Sequence, residues 1–269
     1  MMTRSPQGTA LITGASSGIG AHYAEQLAQR GYDLILVARD RQRLDALAQR
    51  LTDATRQSVQ VLPADLADPA ALAEVEVERT LREDASLTLL VNNAGMGTHT
   101  PLLQSDPAQM LRMIALNVTA LTQLTYAAVP AFVARGRGAI INVSSIVSLA
   151  PELLNGVYGG SKAYVTAFTQ SLQRELAGTG VRAQAVLPGA TATDFWARGG
   201  LPLAHLDPEI VMSPADLVAA ALADFEGEVA ISIPSLHDLS RWETYEASRL
   251  AMADQLSSRQ LAPRYHTAH

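Results

Sequence analysis

The sequence predicts a doubly wound α/β fold, a parallel sheet of about seven strands with helices on both faces. Three observations predict it. Short apolar runs alternate with helix-length segments along most of the 269 residues, the pattern of successive β-α-β units. The first, fourth and fifth runs are apolar without alternation, as strands covered on both faces must be. A glycine-rich turn follows the first run directly, where a βα loop of such a sheet belongs.

The first run, Thr9–Thr13, leads into Thr13-Gly14-Ala15-Ser16-Ser17-Gly18-Ile19-Gly20 and then a helical pattern through Arg30. Glycines let a backbone turn sharply and approach a pyrophosphate, and a helix N-terminus offers unpaired N–H groups and partial positive charge. Gly14, Ser16, Ser17, Gly18, Ile19 and Gly20 are therefore candidate dinucleotide-binding residues in a Rossmann-type domain. The second run, Asp33–Ala38, ends Val37-Ala38-Arg39-Asp40. An acidic side chain at the strand end would repel a 2′-phosphate. Ala38 is too small to do so, and Arg39 offers a guanidinium fork. NADP(H) is accordingly expected in preference to NAD(H), with Arg43 as a helper. Asp40 is read chiefly as the N-cap of the next helix, with the ribose as its alternative partner.

The third run, 58–62, precedes Asp65-Leu66, placed beside an adenine ring. The fourth, 87–91, precedes Asn92-Asn93-Ala94-Gly95, with small residues facing the middle of the cofactor. The fifth, 139–143, runs into Ser144-Ser145. A helix carrying Tyr158 and Lys162 follows, four residues apart and so on one face. Lys162 is the chain's single lysine beside nineteen arginines. A compact ammonium next to a phenol favours phenolate, so the tyrosine pKa is expected to fall and Tyr158 to act as a general acid and base. The sixth run, 181–187, opens on a long segment of weak periodicity, Pro188–Met212, whose part from about 190 is read as a substrate loop. Ser213-Pro214-Ala215-Asp216 then reads as a helix start, with serine as N-cap. The seventh run is 228–233. Beyond it a helical tail, about 235–269, is expected either to dock on the domain or to serve an oligomer contact.

Composition narrows the classes. With 48% hydrophobic content the chain is expected to form one domain over 1–269. A net charge of −6 without basic runs speaks against a nucleic-acid partner. The absence of cysteine excludes disulfides, zinc-thiolate sites and a cysteine nucleophile. None of the six histidines stands at metal-ligand spacing, so no metal is expected. No signal-like h-region and no apolar run near 18 residues is read, which makes a soluble cytoplasmic protein without a membrane partner the simplest expectation.

Taken together, the Gly14/Gly18/Gly20 loop, Asp65, Asn92-Asn93-Ala94-Gly95, Asn117, Ser145, Tyr158, Lys162 and Pro188-Gly189 resemble the short-chain dehydrogenase/reductase family in its single-domain branch. The resemblance runs in order from about residue 9 to 233, and within the family it is closest to DltE-like bacterial oxidoreductases. It implies hydride transfer between a small-molecule carbonyl or alcohol and NADP(H). It also implies a catalytic set of Asn117, Ser145, Tyr158 and Lys162, with Ser144 the rival of Ser145 and Asn117 holding a water that links Lys162 to solvent. Lys162 and Tyr158 would also touch the cofactor, as would Pro188, Gly189, Thr191 and Thr193 in the loop after the sixth strand. A homodimer or homotetramer is implied too. Met96, His99, Val147, Leu153, Phe195, Trp196 and Leu201 are read as walls of a mostly apolar pocket. The alternative reading is an NADP(H)-binding redox sensor or scaffold with little turnover.

Overall fold

The computed structural model describes residues 5–68 and 76–265. The chain divides into two compact units, Met1–Pro234 and Ser235–His269. In the first, β1 (Thr9–Thr13), β2 (Asp33–Ala38), β3 (Val59–Pro63), β4 (Leu87–Asn92), β5 (Gly138–Val143), β6 (Val181–Val186) and β7 (Ile231–Ser232) form one sheet in the order β3-β2-β1-β4-β5-β6-β7. Every pairing is parallel. After β3 the chain returns to the other side of β1, so the strand order reverses between β1 and β4. Loops leaving their carboxyl ends diverge there and open a crevice.

Helices cover both faces. α1 (Gly18–Gln29) and α2 (Arg41–Thr55) bury Tyr23, Leu27, Leu44 and Leu47 on one face. On the other, α3 (Glu76–Glu83) buries Val77 and Leu81. α4 (Pro107–Ile114) continues through a π-helical turn (Ala115–Ala120) into α5 (Leu121–Arg135), which contributes Leu124 and Phe132 to that second core. α6 (Gly156–Glu175) adds Leu172. α7 (Phe195–Arg198) is a single turn in the loop after β6, and α8 (Pro214–Glu226) returns Leu217, Leu222 and Phe225 to the first core. Ser213 caps α8, accepting from the Asp216 N–H at 3.0 Å, and Asp40 caps α2, accepting from the Arg43 N–H at 3.0 Å. Both capping expectations hold.

Two expectations change. The last strand is two residues long rather than the six of 228–233, because Glu228 adopts a left-handed conformation (φ 60°) at the turn after α8. Side-chain amides reach the carbonyls just ahead of the strand: Gln184 donates to Val229 O at 3.1 Å, and Gln173 donates at 2.8 Å to Ala230 O, which also accepts from the Ala185 N–H at 3.0 Å. Moreover, the helix Pro107–Arg135 is, by length and composition, long and apolar enough to cross a membrane, which the run-by-run reading missed because Asn117 and Thr122 interrupt its apolar stretches. Its inner side lies on the sheet, and 44% of its most apolar window is buried.

The second unit contains α9 (Ser240–Ala251), started by Asp238, which accepts from the Ser240 N–H at 3.1 Å. Trp242 and Tyr245 meet along one side of it, with centroids 5.5 Å apart and rings tilted by 31°. The final four residues of the expected tail lie outside the described ones.

Beneath the crevice a chain of buried amides ties the layers together. Asn92 at the end of β4 donates to Asn142 of β5 at 2.9 Å, and Asn142 donates to Thr169 of α6 at 2.9 Å. Replacing Thr169 by Val keeps the shape and leaves the Asn142 amide unpaired. A buried donor without a partner costs about 1–3 kcal/mol, so the urea midpoint of Thr169→Val is expected to fall at unchanged m-value.

Candidate active site

The glycine loop is built for close approach. Gly14 (φ 66°) and Gly18 (φ 56°) lie in the left-handed region, and a Cβ on Gly20 would lie 2.3 Å from the Gly14 carbonyl oxygen. Only glycine fits these positions. Ser17 precedes α1 without a side-chain cap, and no acidic residue occupies the first turn, so the helix N-terminus keeps its amides for another partner. Such a cradle fits the diphosphate of a dinucleotide, whose charge the helix end favours. Ser16 and Ile19 are half-buried beside it, and Thr193 faces Gly18, its Cγ2 3.0 Å from where a Cβ would stand.

The loop is braced by Thr13 and Asn93. The Thr13 hydroxyl accepts from the N–H groups of Asn93 (2.9 Å) and Ala94 (3.0 Å), while the Asn93 amide donates to Thr13 O at 2.9 Å. Asn93 thus fastens the β4 loop to the glycine loop. Asn92 was the expected cofactor contact, but its side chain turns down into the amide chain described above, and any contact it makes with a ligand is through its main chain. Alternation along the strand says only that Asn92 and Asn93 face opposite sides, and the pairing of Asn92 with Asn142 decides which.

At the selector position Asp40 is occupied as a helix cap and Arg43 lies 3.4 Å from Asp40 and 3.7 Å from Asp194. Arg39 is exposed, and no ion pair or side-chain hydrogen bond engages it among the described residues. Asp65 is shared: it accepts from the Ala67 N–H at 3.0 Å and pairs with Arg112 of α4 at 2.5 Å. Leu66 is buried next to it.

Across the crevice the four expected catalytic residues converge. Lys162 is buried on α6, and its ammonium donates to Val143 O at 2.8 Å. A Cβ on Gly95 would stand 3.5 Å from that ammonium and 3.4 Å from the Asn117 Oδ1. The Asn117 amide makes three hydrogen bonds: Oδ1 accepts from Met96 N (2.9 Å), and Nδ2 donates to Met96 O (2.8 Å) and Ser161 Oγ (3.0 Å). Ser145 stands beside the Tyr158 phenol, near enough to lower its pKa, and donates to Pro188 O at 3.4 Å. Its rival Ser144 faces α6 instead, 2.8 Å from Lys162 O and 2.7 Å from Thr166. In the loop after β6, Thr191 is buried and donates to Gly189 O at 3.1 Å.

The pocket beside Tyr158 is lined by Gly97, Thr98, His99, Leu154, Phe195, Trp196, Gly199 and Leu201. Leu154 replaces the expected Leu153, which points to solvent at 59% exposure from the end of a 3-10 turn. Val147 and Met96 sit one layer deeper, packed with Met110, Met113 and Tyr158.

A doubly wound sheet with a glycine cradle at its switch point is the architecture of nucleotide-binding α/β proteins. More narrowly, the chain belongs to the short-chain dehydrogenase family, whose profile matches residues 8–200. It is an oxidoreductase of that family. A short-chain dehydrogenase from Sphingobium yanoikuyae, solved with NADPH, is 46% identical with a TM-score of 0.92, covering 96% of this chain and 100% of its own. The bulky-bulky ketone specific alcohol dehydrogenase of Comamonas testosteroni is 42% identical with a TM-score of 0.88, covering 97% of this chain and 99% of its own. Sulfoacetaldehyde reductase 2 of Chromohalobacter salexigens is 39% identical over 69% of this chain and 73% of its own.

Electrostatics departs from expectation at the phenol. Burial pushes Tyr158 up to about 12, against the lowering pull of the neighbouring Ser145 hydroxyl. Burial also brings Lys162 down to about 8. Desolvation disfavours both charged forms, and here it outweighs the attraction the sequence reading relied on. The consequence for stability has a definite sign. Between about pH 8 and 10.5 the unfolded chain holds the lysine proton and the folded chain has released it, so stability rises with pH. Above pH 10 the buried Tyr158 acts oppositely, holding a proton that the unfolded chain has lost. Urea unfolding without added dinucleotide is therefore expected to show wild type gaining about 2 kcal/mol over Lys162→Met between pH 8 and 10. Parallel pH profiles for the two proteins would remove Lys162 as the cause.

Proposed function

We propose that the chain is an NADP(H)-dependent oxidoreductase that interconverts a ketone or aldehyde with its alcohol, with Tyr158 as general acid and base. The observation that carries this reading is the buried Ser145-Tyr158-Lys162 group standing across the crevice from a glycine cradle. The bound nicotinamide supplies or accepts the hydride. In the reduction direction the Ser145 hydroxyl orients the substrate oxygen and the phenol gives it a proton, which burial keeps on Tyr158 at neutral pH. The Lys162 ammonium offsets the charge left on the phenolate. One of its three donors is held by Val143 O, and the others are free for ribose hydroxyls. Asn117 fixes the Met96 main chain beside the ammonium. Both amide hydrogens of Asn117 are donated, to Met96 O and Ser161 Oγ, so a water linking Lys162 to solvent would be held at Asn117 by a carbonyl oxygen.

The preference for NADP(H) rests on Ala38, the commitment of Asp40 to its cap and Arg39, which no side chain among the described residues engages. It agrees with the NADPH held by the Sphingobium relative. The substrate is an apolar ketone or alcohol of some bulk. Leu154, Phe195, Trp196 and Leu201 dominate the pocket, and the nearby Arg198 is paired with Asp194 at 3.2 Å. That lining suits the bulky ketones of the Comamonas enzyme better than the small anionic aldehyde of the Chromohalobacter one. Assembly as a homodimer or homotetramer is supported by Leu102, Leu103, Leu111 and Tyr126, each more than half exposed.

Two measurements test the reading. Tyr158→Phe is expected to cut turnover of a ketone by about 10²–10⁴-fold while NADPH still binds, the range typical of a lost general acid. Carbonyl reduction that survives this change would end the Tyr158 assignment. Arg39→Ala is expected to raise the Kd for NADPH about tenfold or more and to leave NADH nearly unchanged, because one charge-assisted phosphate contact is lost. Equal weakening of both would place phosphate recognition elsewhere.

A further inference from the structure

Phe195 stands where a substrate of the proposed kind has to lie. Its ring lies against that of Tyr158, centroids 5.6 Å apart and tilted by 47°, and Tyr158 is only 6% exposed beneath it. The closeness depends on a missing atom. A Cβ on Gly97 would come within 2.4 Å of the Phe195 Cζ and 3.0 Å of the Tyr158 Cδ2. The two rings meet only because residue 97 has no side chain.

Phe195 is also mounted on a turn that is lightly held at its two ends. It begins the one-turn helix α7, whose far end is held from the β4 loop at a single carbonyl. Gly199 O accepts from Thr98 Oγ1 at 3.2 Å and lies 3.1 Å from His99 Nδ1. At the near end the surface pair Arg43–Asp194 is 3.7 Å long. By contrast Trp196, edge-on to Phe195 at 5.7 Å, is tied back to Thr191 O by its indole N–H at 2.9 Å. The wall of the pocket is anchored by a hydrogen bond, and the ring over the phenol is held by apolar packing alone.

We infer that Phe195 is a removable plug, occupying the place over Tyr158 that one large apolar substituent of a ketone takes, and that Gly97 is the recess that lets the plug close. The inference rests on the carbonyl reading above and adds the residue that decides substrate size. A bulky ketone must displace the ring before its oxygen reaches Ser145 and Tyr158. A small aldehyde has little need to, and it gains nothing from the apolar space uncovered.

The test uses NADPH-saturated wild type, Phe195→Ala, Gly97→Ala and the double variant, with dicyclohexyl ketone and propanal as probes. Removing the plug is expected to lower KM for dicyclohexyl ketone about tenfold, an effect on the scale of a small change in pocket shape, with kcat changed little and propanal unaffected. Gly97→Ala should shift KM in the same direction by forcing the ring out. In the Phe195→Ala background its effect should shrink, since the clash with Phe195 is then gone and only the approach to the Tyr158 Cδ2 at 3.0 Å remains. A rise in KM for dicyclohexyl ketone in Phe195→Ala would mean that Phe195 is a fixed wall and would overturn the inference. So would a Gly97→Ala effect that persists undiminished without Phe195.

A readout independent of turnover separates this from failure of the carbonyl reading. In a Trp242→Phe background Trp196 is the remaining tryptophan, and its quenching by acrylamide should rise when dicyclohexyl ketone is added. No rise would sink the plug even if the ketone is reduced. A rise without turnover would support the plug and count against the reductase.

Discussion

A buried ammonium has to be hydrogen-bonded, and the layers around the site are arranged to meet that demand. Taking a lysine out of water is expensive unless its donors find partners. Lys162 finds the last carbonyl of β5, so α6 must lie at a fixed height over the end of that strand. Ser144 fixes the height from below by bonding both the Lys162 carbonyl and Thr166. Asn142 fixes it one turn further along through Thr169. The π-helical turn comes under the same constraint: it points Asn117 at Met96 and at Ser161, beside the lysine. One extra residue per turn widens a helix locally, a departure found often at functional sites.

Much of this was legible in the chain. The glycine loop announces itself because left-handed turns and close approach admit few residue types, and strand ends can be located because parallel strands are apolar throughout. What could not be read was the direction of single side chains. Whether Asn92 or Asn93 faces the glycine loop depends on the pairing of Asn92 with Asn142, and register is not visible in one strand alone. The π-helical turn was hidden too, since apolar spacing hardly changes when one turn widens. The shortening of β7 came from Glu228, a residue type that rarely accepts a left-handed backbone.

The phenol shows a different limit. Spacing placed Tyr158 and Lys162 on one helix face and suggested mutual stabilisation of their charges. Neither spacing nor composition shows how deeply both groups are buried, and depth decides the sign. With Phe195 packed over it, Tyr158 holds its proton firmly, which suits an acid awaiting a carbonyl. The geometry that raises the phenol pKa is thus the same geometry that covers it, and uncovering Tyr158 changes its acidity along with its reach.

The use of arginine for every other cation has a chemical consequence. Lys162 carries the only side-chain primary amine in the chain, and burial gives it a larger neutral fraction near pH 8 than an ordinary lysine has. Apart from the terminal amine, an acylating or reductively alkylating reagent has one target, and that target lies beside the phenol. Its rate of modification therefore reports how often the crevice admits a molecule from solution, giving the protein a built-in probe of access that needs no engineered label.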